Sequence, residues 1–298
     1  MSERNRMIQV TENGSGQLVV TGGNYKLLVP LDYGPRVMSL ALGDGPNLFQ
    51  VMEGEDPNAE LRIRGGHRLW VAPERKAVTW VDDNLPVEIE QVEDYRLIVR
   101  GGREARTGLI KEMAIEIDRG VVCITHQIYN TTHWRIELAP WALTIMNPGG
   151  WAIAPFPPRG KHPVDLAPSN PLVMWPYTDL SDPRWKFHEN CFTLRQDSSI
   201  VGRPQKIGSF AAETWCAYVW NGYVFRKRSQ GYDHMDYPDM GCSFELFSNH
   251  EMLELETLSP IVSLDPGECV RHEEEWTLEQ VSAEQTGTPE APGPYFFS

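Results

Sequence analysis

Helical periodicity is almost absent from this sequence. What recurs instead is a short apolar or alternating run, closed by Gly, Pro, Asn or Asp, and then another. In the first half, Leu18–Val20, Tyr25–Leu31, Arg36–Leu42, Val87–Val92, Arg96–Val99, Met113–Ile117, Val121–Tyr129 and Ile136–Met146 read as strands. In the second half, Trp215–Trp220, Tyr223–Arg226, Cys242–Phe247, Met252–Leu258, Ile261–Leu264 and Val270–Leu278 do the same. A long series of short strands separated by turns can bury its apolar faces in few ways, as a sandwich or a barrel. The 25 glycines and 23 prolines suit the turns and oppose long helices. The expected fold class is all-β: one large antiparallel β-sandwich domain over residues 1–298, a length such sandwiches reach as one unit. Residues 282–298 are polar and rich in Pro and Gly, and are expected to form a surface C-terminal tail pinned by Tyr295, Phe296 and Phe297.

The pattern inside the runs says more. Along Lys111–Asp118, Met113, Ile115 and Ile117 share one face while Glu112, Glu116 and Asp118 share the other, as in a strand with one wet side. The stretch Pro148–Pro183 has little alternation and many prolines and tryptophans, and is expected to be a long aromatic loop laid over a sheet. Hydrophobic residues make up 41% of the chain, enough for a substantial core. The net charge of −14 opposes broad contact with nucleic acid or an anionic membrane. The basic run Arg226-Lys227-Arg228 reads as a solvated strand end. Five cysteines, at 123, 191, 216, 242 and 269, are odd in number and in no metal-binding spacing, which fits free thiols in a reducing compartment. The opening Met1–Arg6 leads into no apolar stretch and no run is long enough to span a bilayer, so a cytoplasmic location is expected.

Three features could carry chemistry. In Met252–Leu258, alternation places Leu253, Leu255 and Thr257 on one face and Glu254 with Glu256 on the other, about 7 Å apart along the strand. Two carboxylates on one face repel, so one of them is expected to hold its proton to higher pH, as a general acid or base requires. The competing reading is a solvent-facing strand. The second feature is Gly65-Gly66-His67-Arg68-Leu69-Trp70 running on to Pro73-Glu74. If extended, it puts Arg68 and Trp70 on one face, a hydrogen-bonding fork beside a stacking surface. A buried Trp with Arg paired to an acid is the alternative. The third is the supply of ten tryptophans, among them Trp134, Trp141, Trp151, Trp175, Trp185 and Trp215, most of which belong in a core. His126, flanked along its face by Val122, Ile124 and Ile128, reads as a core histidine. His234, in the turn-rich Gly231–Pro238, could line a site but matches no metal motif.

Taken together, Gly65–Glu74, Asn130–Gly150, Leu253–Pro260 and the Leu264–Glu268 turn resemble the galactose mutarotase-like (aldose 1-epimerase) superfamily, and most nearly its bacterial members. The resemblance runs as architecture from about Gly16 to Val281 and as sequence only in these patches. It implies a supersandwich fold and anomer interconversion without a cofactor or metal. In that chemistry a glutamate takes the proton of the anomeric hydroxyl and a histidine protonates the ring oxygen. By position Glu256 takes the base role. The family histidine falls near Pro140-Trp141, where none stands, which leaves His126 or His67 to supply the acid; His67 is taken as the second catalytic candidate. Arg68, Trp70, Glu74, Trp141, Glu254, Arg36 and His234 are the expected substrate contacts. The expected partner is a small-molecule sugar, with a homodimer as the candidate assembly. A carbohydrate-binding protein that kept the fold and lost the acid is the alternative.

Overall fold

The computed structural model describes residues 7–297 apart from 57, 58, 60, 82, 93 and 94; the opening six residues, read above for a leader, lie outside it. The chain forms antiparallel sheets of ten, eight and four strands and a small two-stranded ribbon. The ten-stranded sheet runs in the order Trp185–Phe187, Cys191–Arg195, Trp151–Pro155, Glu213–Trp220, Tyr223–Gln230, Cys269–Gln280, Val121–Asn130, Leu109–Asp118, Arg96–Arg100, Glu88–Val92. The eight-stranded sheet runs Leu172–Met174, Gln205–Ser209, Phe244–Ser248, Leu253–Leu258, Ile136–Met146, His67–Ala72, Arg36–Val37, and Val262–Leu264 pairs with the start of Ile136–Met146. The four-stranded sheet (Gln9–Glu12, Gln17–Gly22, Tyr25–Pro30, Ser39–Leu42) adds Val20, Leu27, Val29 and Leu40 to the same core. That core also takes Met113, Ile115 and Ile117 from the large sheet and Leu69, Leu253 and Leu255 from the eight-stranded one, so the two large sheets meet face to face. The fold is an all-β antiparallel sandwich. No described helix is long and apolar enough to cross a membrane.

Two expectations change. The stretch Pro148–Pro183 is not one loop. Trp151–Pro155 is an interior strand of the ten-stranded sheet, and Leu172–Met174 is an edge strand of the other. All five residues of Trp151–Pro155 are buried, and a strand covered on both faces has no polar side to alternate with. The basic run Arg226-Lys227-Arg228 lies within Tyr223–Gln230 and is not a solvated end: Lys227 is fully buried. Strand parity turns the middle residue inward while Arg226 and Arg228 face the other way. At the C-terminus Phe296 is buried, edge-on to Trp151 with ring centres 5.7 Å apart.

Candidate active site

The Leu253–Leu258 strand presents polar side chains on both faces, Thr257 on one and Glu254 with Glu256 on the other. On its inner face Thr257 joins a wholly buried network between the sheets. Lys227 Nζ reaches Glu274 Oε1 at 2.7 Å, Thr144 Oγ1 at 3.1 Å and the carbonyls of Ala142 and Leu255 at 3.2 Å each. The proton positions follow from the partners. His126 Nδ1 faces the His272 carbonyl at 3.0 Å and must donate, so its Nε2 accepts from His67 Nε2 at 2.7 Å. His67 Nδ1 then accepts from the Thr144 hydroxyl at 2.8 Å. Thr257 donates to Glu274 and accepts from His272 Nε2 at 2.7 Å, while Trp276 Nε1 donates to the other Glu274 oxygen at 2.7 Å. His67 and His126 each donate through one nitrogen and accept through the other, as neutral imidazoles do, and His272 donates through Nε2. Burial lowers their pKa values against the pull of Glu274, well below normal for His67 and to about 3 for His272. Burial by itself would raise Glu274, but its pKa is lowered on balance, with the Lys227 ammonium the largest opposing influence, and the carboxyl stays ionised.

His67, His126 and Glu274 are the one grouping of three metal-ligating side chains among the described residues, with donor atoms within 4.8 Å of one another. Lys227 already neutralises Glu274. A divalent cation added there would leave uncompensated positive charge in the core, so the donor set does not suit a metal ion.

The outer face is built by register. Arg36 pairs with Arg68, Arg68 with Leu143, Leu143 with Glu256, Glu256 with Glu245, and Glu245 with Gly208. One row across the sheet thus runs from two arginines to two glutamates. Trp70 and Trp141 are paired in the neighbouring row, their rings edge to face at 5.5 Å. Gly65 and Gly66, both at positive φ, let the chain enter this strand against Gln50 and Val37, where a Cβ would stand 2.0 and 2.5 Å from a carbonyl oxygen.

Glu256 is fully buried. Its Oε2 accepts from Trp141 Nε1 at 2.8 Å and Lys206 Nζ at 2.9 Å, while Oε1 has no hydrogen-bond partner among the described residues. Lys206 also lies 2.6 Å from Glu245 Oε2 and sits 4.7 Å from the ring centres of both Trp141 and Trp175. Burial would lower the Lys206 pKa, but Glu245 and Glu256 outweigh it and the ammonium stays charged. Burial lifts Glu245 well above a normal carboxylate against the pull of Lys206, and Glu256 and Asp239 add to the rise. Glu254 is lifted by burial to about 7 against the pull of Arg68, with Glu256 adding. Arg68 Nη2 donates to Glu254 at 3.3 Å and its guanidinium lies 3.8 Å over the Trp70 ring.

The structure therefore brings Glu256, Glu254, Arg68, Trp70 and Trp141 onto one face, with Arg36 in the same row tied to Asp83. Glu74 is exposed and accepts from Trp80 Nε1 at 2.8 Å, and Trp80 packs on the Trp70–Trp141 cluster. His67 is not part of this face. It is the neighbour of Arg68 on an extended strand, so its side chain points to the opposite side, into the core. His234 is exposed in its turn, and no hydrogen bond or ion pair joins it to these side chains among the described residues. Lys206, Glu245 and Asp239 were not anticipated. Lys206 and Glu245 arrive through strand pairing far along the chain, which no local pattern announces.

No family model matches the sequence, and no curated protein does either. Solved structures do. The chain has the galactose mutarotase-like fold. It aligns with a galactose mutarotase-like protein from Lactobacillus casei over 91% of this chain and 100% of that one, at 10% identity and a TM-score of 0.55. The Slr1438 protein of Synechocystis sp. PCC 6803 aligns over 94% and 97% of the two chains, at 11% identity and a TM-score of 0.56. A galactose mutarotase related enzyme from Lactobacillus acidophilus covers 93% and 99%, at 9% identity and a TM-score of 0.50. At these identities the likeness is one of fold.

Proposed function

We propose that the protein binds an aldose on the outer face of the eight-stranded sheet and interconverts its anomers. Glu256 is the base. The observation that carries the reading is its carboxylate: Oε2 is fixed by Trp141 and Lys206, and Oε1 is buried and accepts from no N–H or hydroxyl among the described residues. A buried acceptor left open is costly unless a ligand hydroxyl fills it. Glu254, on the same face and poised to hold a proton near neutral pH, is the acid in place of a histidine. Glu256 takes the proton of the anomeric hydroxyl, the electrons left on that oxygen form the aldehyde, the bond from the anomeric carbon to the ring oxygen breaks, and Glu254 delivers its proton to the ring oxygen. Rotation about the next carbon–carbon bond and the reverse steps give the other anomer. Trp70 and Trp141 supply the stacking surface.

A non-catalytic sugar-binding role is favoured by one observation: none of the described histidines is hydrogen-bonded to the carboxylates of this face. Magnetisation exchange between the anomeric protons of a panel of aldoses separates the two. Exchange accelerated by the wild type and abolished by Glu256→Gln supports the enzyme; saturable binding without any acceleration leaves only the binding role.

A further inference from the structure

Beside the acidic cluster, on the arginine side of the same row, lies a cavity of about 190 Å³ lined by Arg36, Arg68, Trp70, Asp83, Glu104 and Lys111 among others. We propose that this cavity is a subsite for a carboxylate carried on the sugar, which makes the substrate class of the reading above a hexuronic acid. The inference rests on that reading for the placement of the anomeric centre at Glu256.

Arg68 carries the argument. It is 3% exposed, and its Nε and Nη1 have no hydrogen-bond partner among the described residues. Apart from its stacking on Trp70, its one polar contact among the described residues is the 3.3 Å bond from Nη2 to Glu254. A guanidinium so deep in the protein with two nitrogens unused is an anion receptor waiting for its acceptor. The other two cations are engaged: Arg36 is paired with Asp83 and donates to the carbonyls of Ile63 and Gly65, and Lys111 lies 2.7 Å from Glu104. The cavity therefore has room, electrostatically, for one negative charge. A monoanionic carboxylate closes the balance, whereas a phosphate dianion would leave a buried excess of negative charge.

Register supplies the span. Arg68 and Glu256 share a row with only the Ile136–Met146 strand between them, so their backbones are about 10 Å apart. A pyranose ring with one exocyclic carbon bridges that gap once both side chains lean in, with the anomeric hydroxyl at Glu256 and the carboxylate at Arg68. Glu254, bonded to Arg68, then stands beside the ring oxygen, which neighbours the carbon bearing the carboxylate. Binding would draw Arg68 from Glu254 toward the ligand. Glu254 would lose its stabilising cation and keep its proton, the form in which it acts as donor.

The test is calorimetric titration of the full chain with D-galacturonate and D-glucuronate against D-galactose, D-glucose and D-glucose 6-phosphate, run beside the anomer-exchange measurement. Expected is a preference for a uronate over its neutral hexose of at least about tenfold, the size of one charge-assisted hydrogen bond, and a collapse of that preference in Arg68→Lys. Equal affinity for uronate and hexose in the wild type, or tighter binding of the 6-phosphate, overturns the proposal without recourse to a variant. Uronate binding without exchange removes the epimerase reading and leaves the subsite; exchange of neutral hexoses with no uronate preference does the reverse. Neither binding nor exchange with any of these sugars overturns both.

Discussion

Replacing His272 with glutamine isolates the proton linkage of the inner network. Burial pushes the His272 pKa from 6.5 down to about 3, against the pull of Glu274. As the solution turns mildly acidic, only the unfolded chain takes up a proton at this position. The stability is complete at neutral pH, begins to fall below the unfolded pKa, and keeps falling until the folded value is reached. Each pH unit in that window costs about 1.4 kcal/mol, so going from about pH 7.5 to about pH 5 removes about 2 kcal/mol through this one residue. His67 and His126, also lowered by burial, act in the same direction. Glu254 and Glu245 oppose them: their folded pKa values are raised, so they favour the folded state as pH falls toward the unfolded glutamate value. The wild-type profile is a sum of opposing slopes, and the quantity to read is the difference between wild type and variant. A glutamine amide can still donate to Thr257 as the imidazole does, and it does not titrate. Urea unfolding followed by circular dichroism should show wild type losing about 2 kcal/mol relative to His272→Gln across that range. A difference constant to within about 0.5 kcal/mol would refute the assignment of a neutral, hydrogen-bonded His272, since a group with an ordinary pKa in both states contributes no slope.

Two further outcomes follow from the buried ion pairs. Lys227→Met strands the Glu274 carboxylate in the core and should cost about 3–5 kcal/mol in urea unfolding, most of it recovered when Glu274→Gln is added. Trp141→Phe removes the N–H that holds Glu256 Oε2 while keeping an aromatic ring; kcat/KM for anomer exchange should fall about tenfold to a hundredfold with the fold intact, and a loss under about twofold would show that the indole N–H is idle.

Much of this site was legible from alternation alone. The spacing of Glu254 and Glu256, and of Arg68 and Trp70, settles which pairs share a face, and the structure places all four on the same one. The same rule excludes His67, because a residue adjacent to Arg68 cannot share its side of an extended strand. What alternation cannot reach is the pairing of distant strands. Glu245 stands opposite Glu256 and Lys206 bridges them, yet no local pattern around Gln205–Ser209 marks it as a strand bearing a buried cation. Lys227 was hidden differently. Between two arginines it looks like a wet surface, and its burial depends on the Glu274 carboxylate together with the Thr144 hydroxyl and the carbonyls of Ala142 and Leu255, all distant in sequence. Trp151–Pro155 escaped because a strand covered on both sides loses the period by which strands are read.

Lys227 also holds the carbonyl oxygens of Ala142 and Leu255, which belong to the two adjacent strands bearing Leu143 and Glu256 on their other side. One ammonium rivets that seam from beneath. Directly above it, the floor of the acidic site is fixed in both strand spacing and register. Fitting a ligand of a different shape would therefore fall to the edge of the sheet, where Trp175 follows the Leu172–Met174 strand with its ring centre 4.7 Å from Lys206 Nζ. Discrimination between ligands by size would then be rewritten most readily in those edge residues, with Glu254 and Glu256 left where they stand.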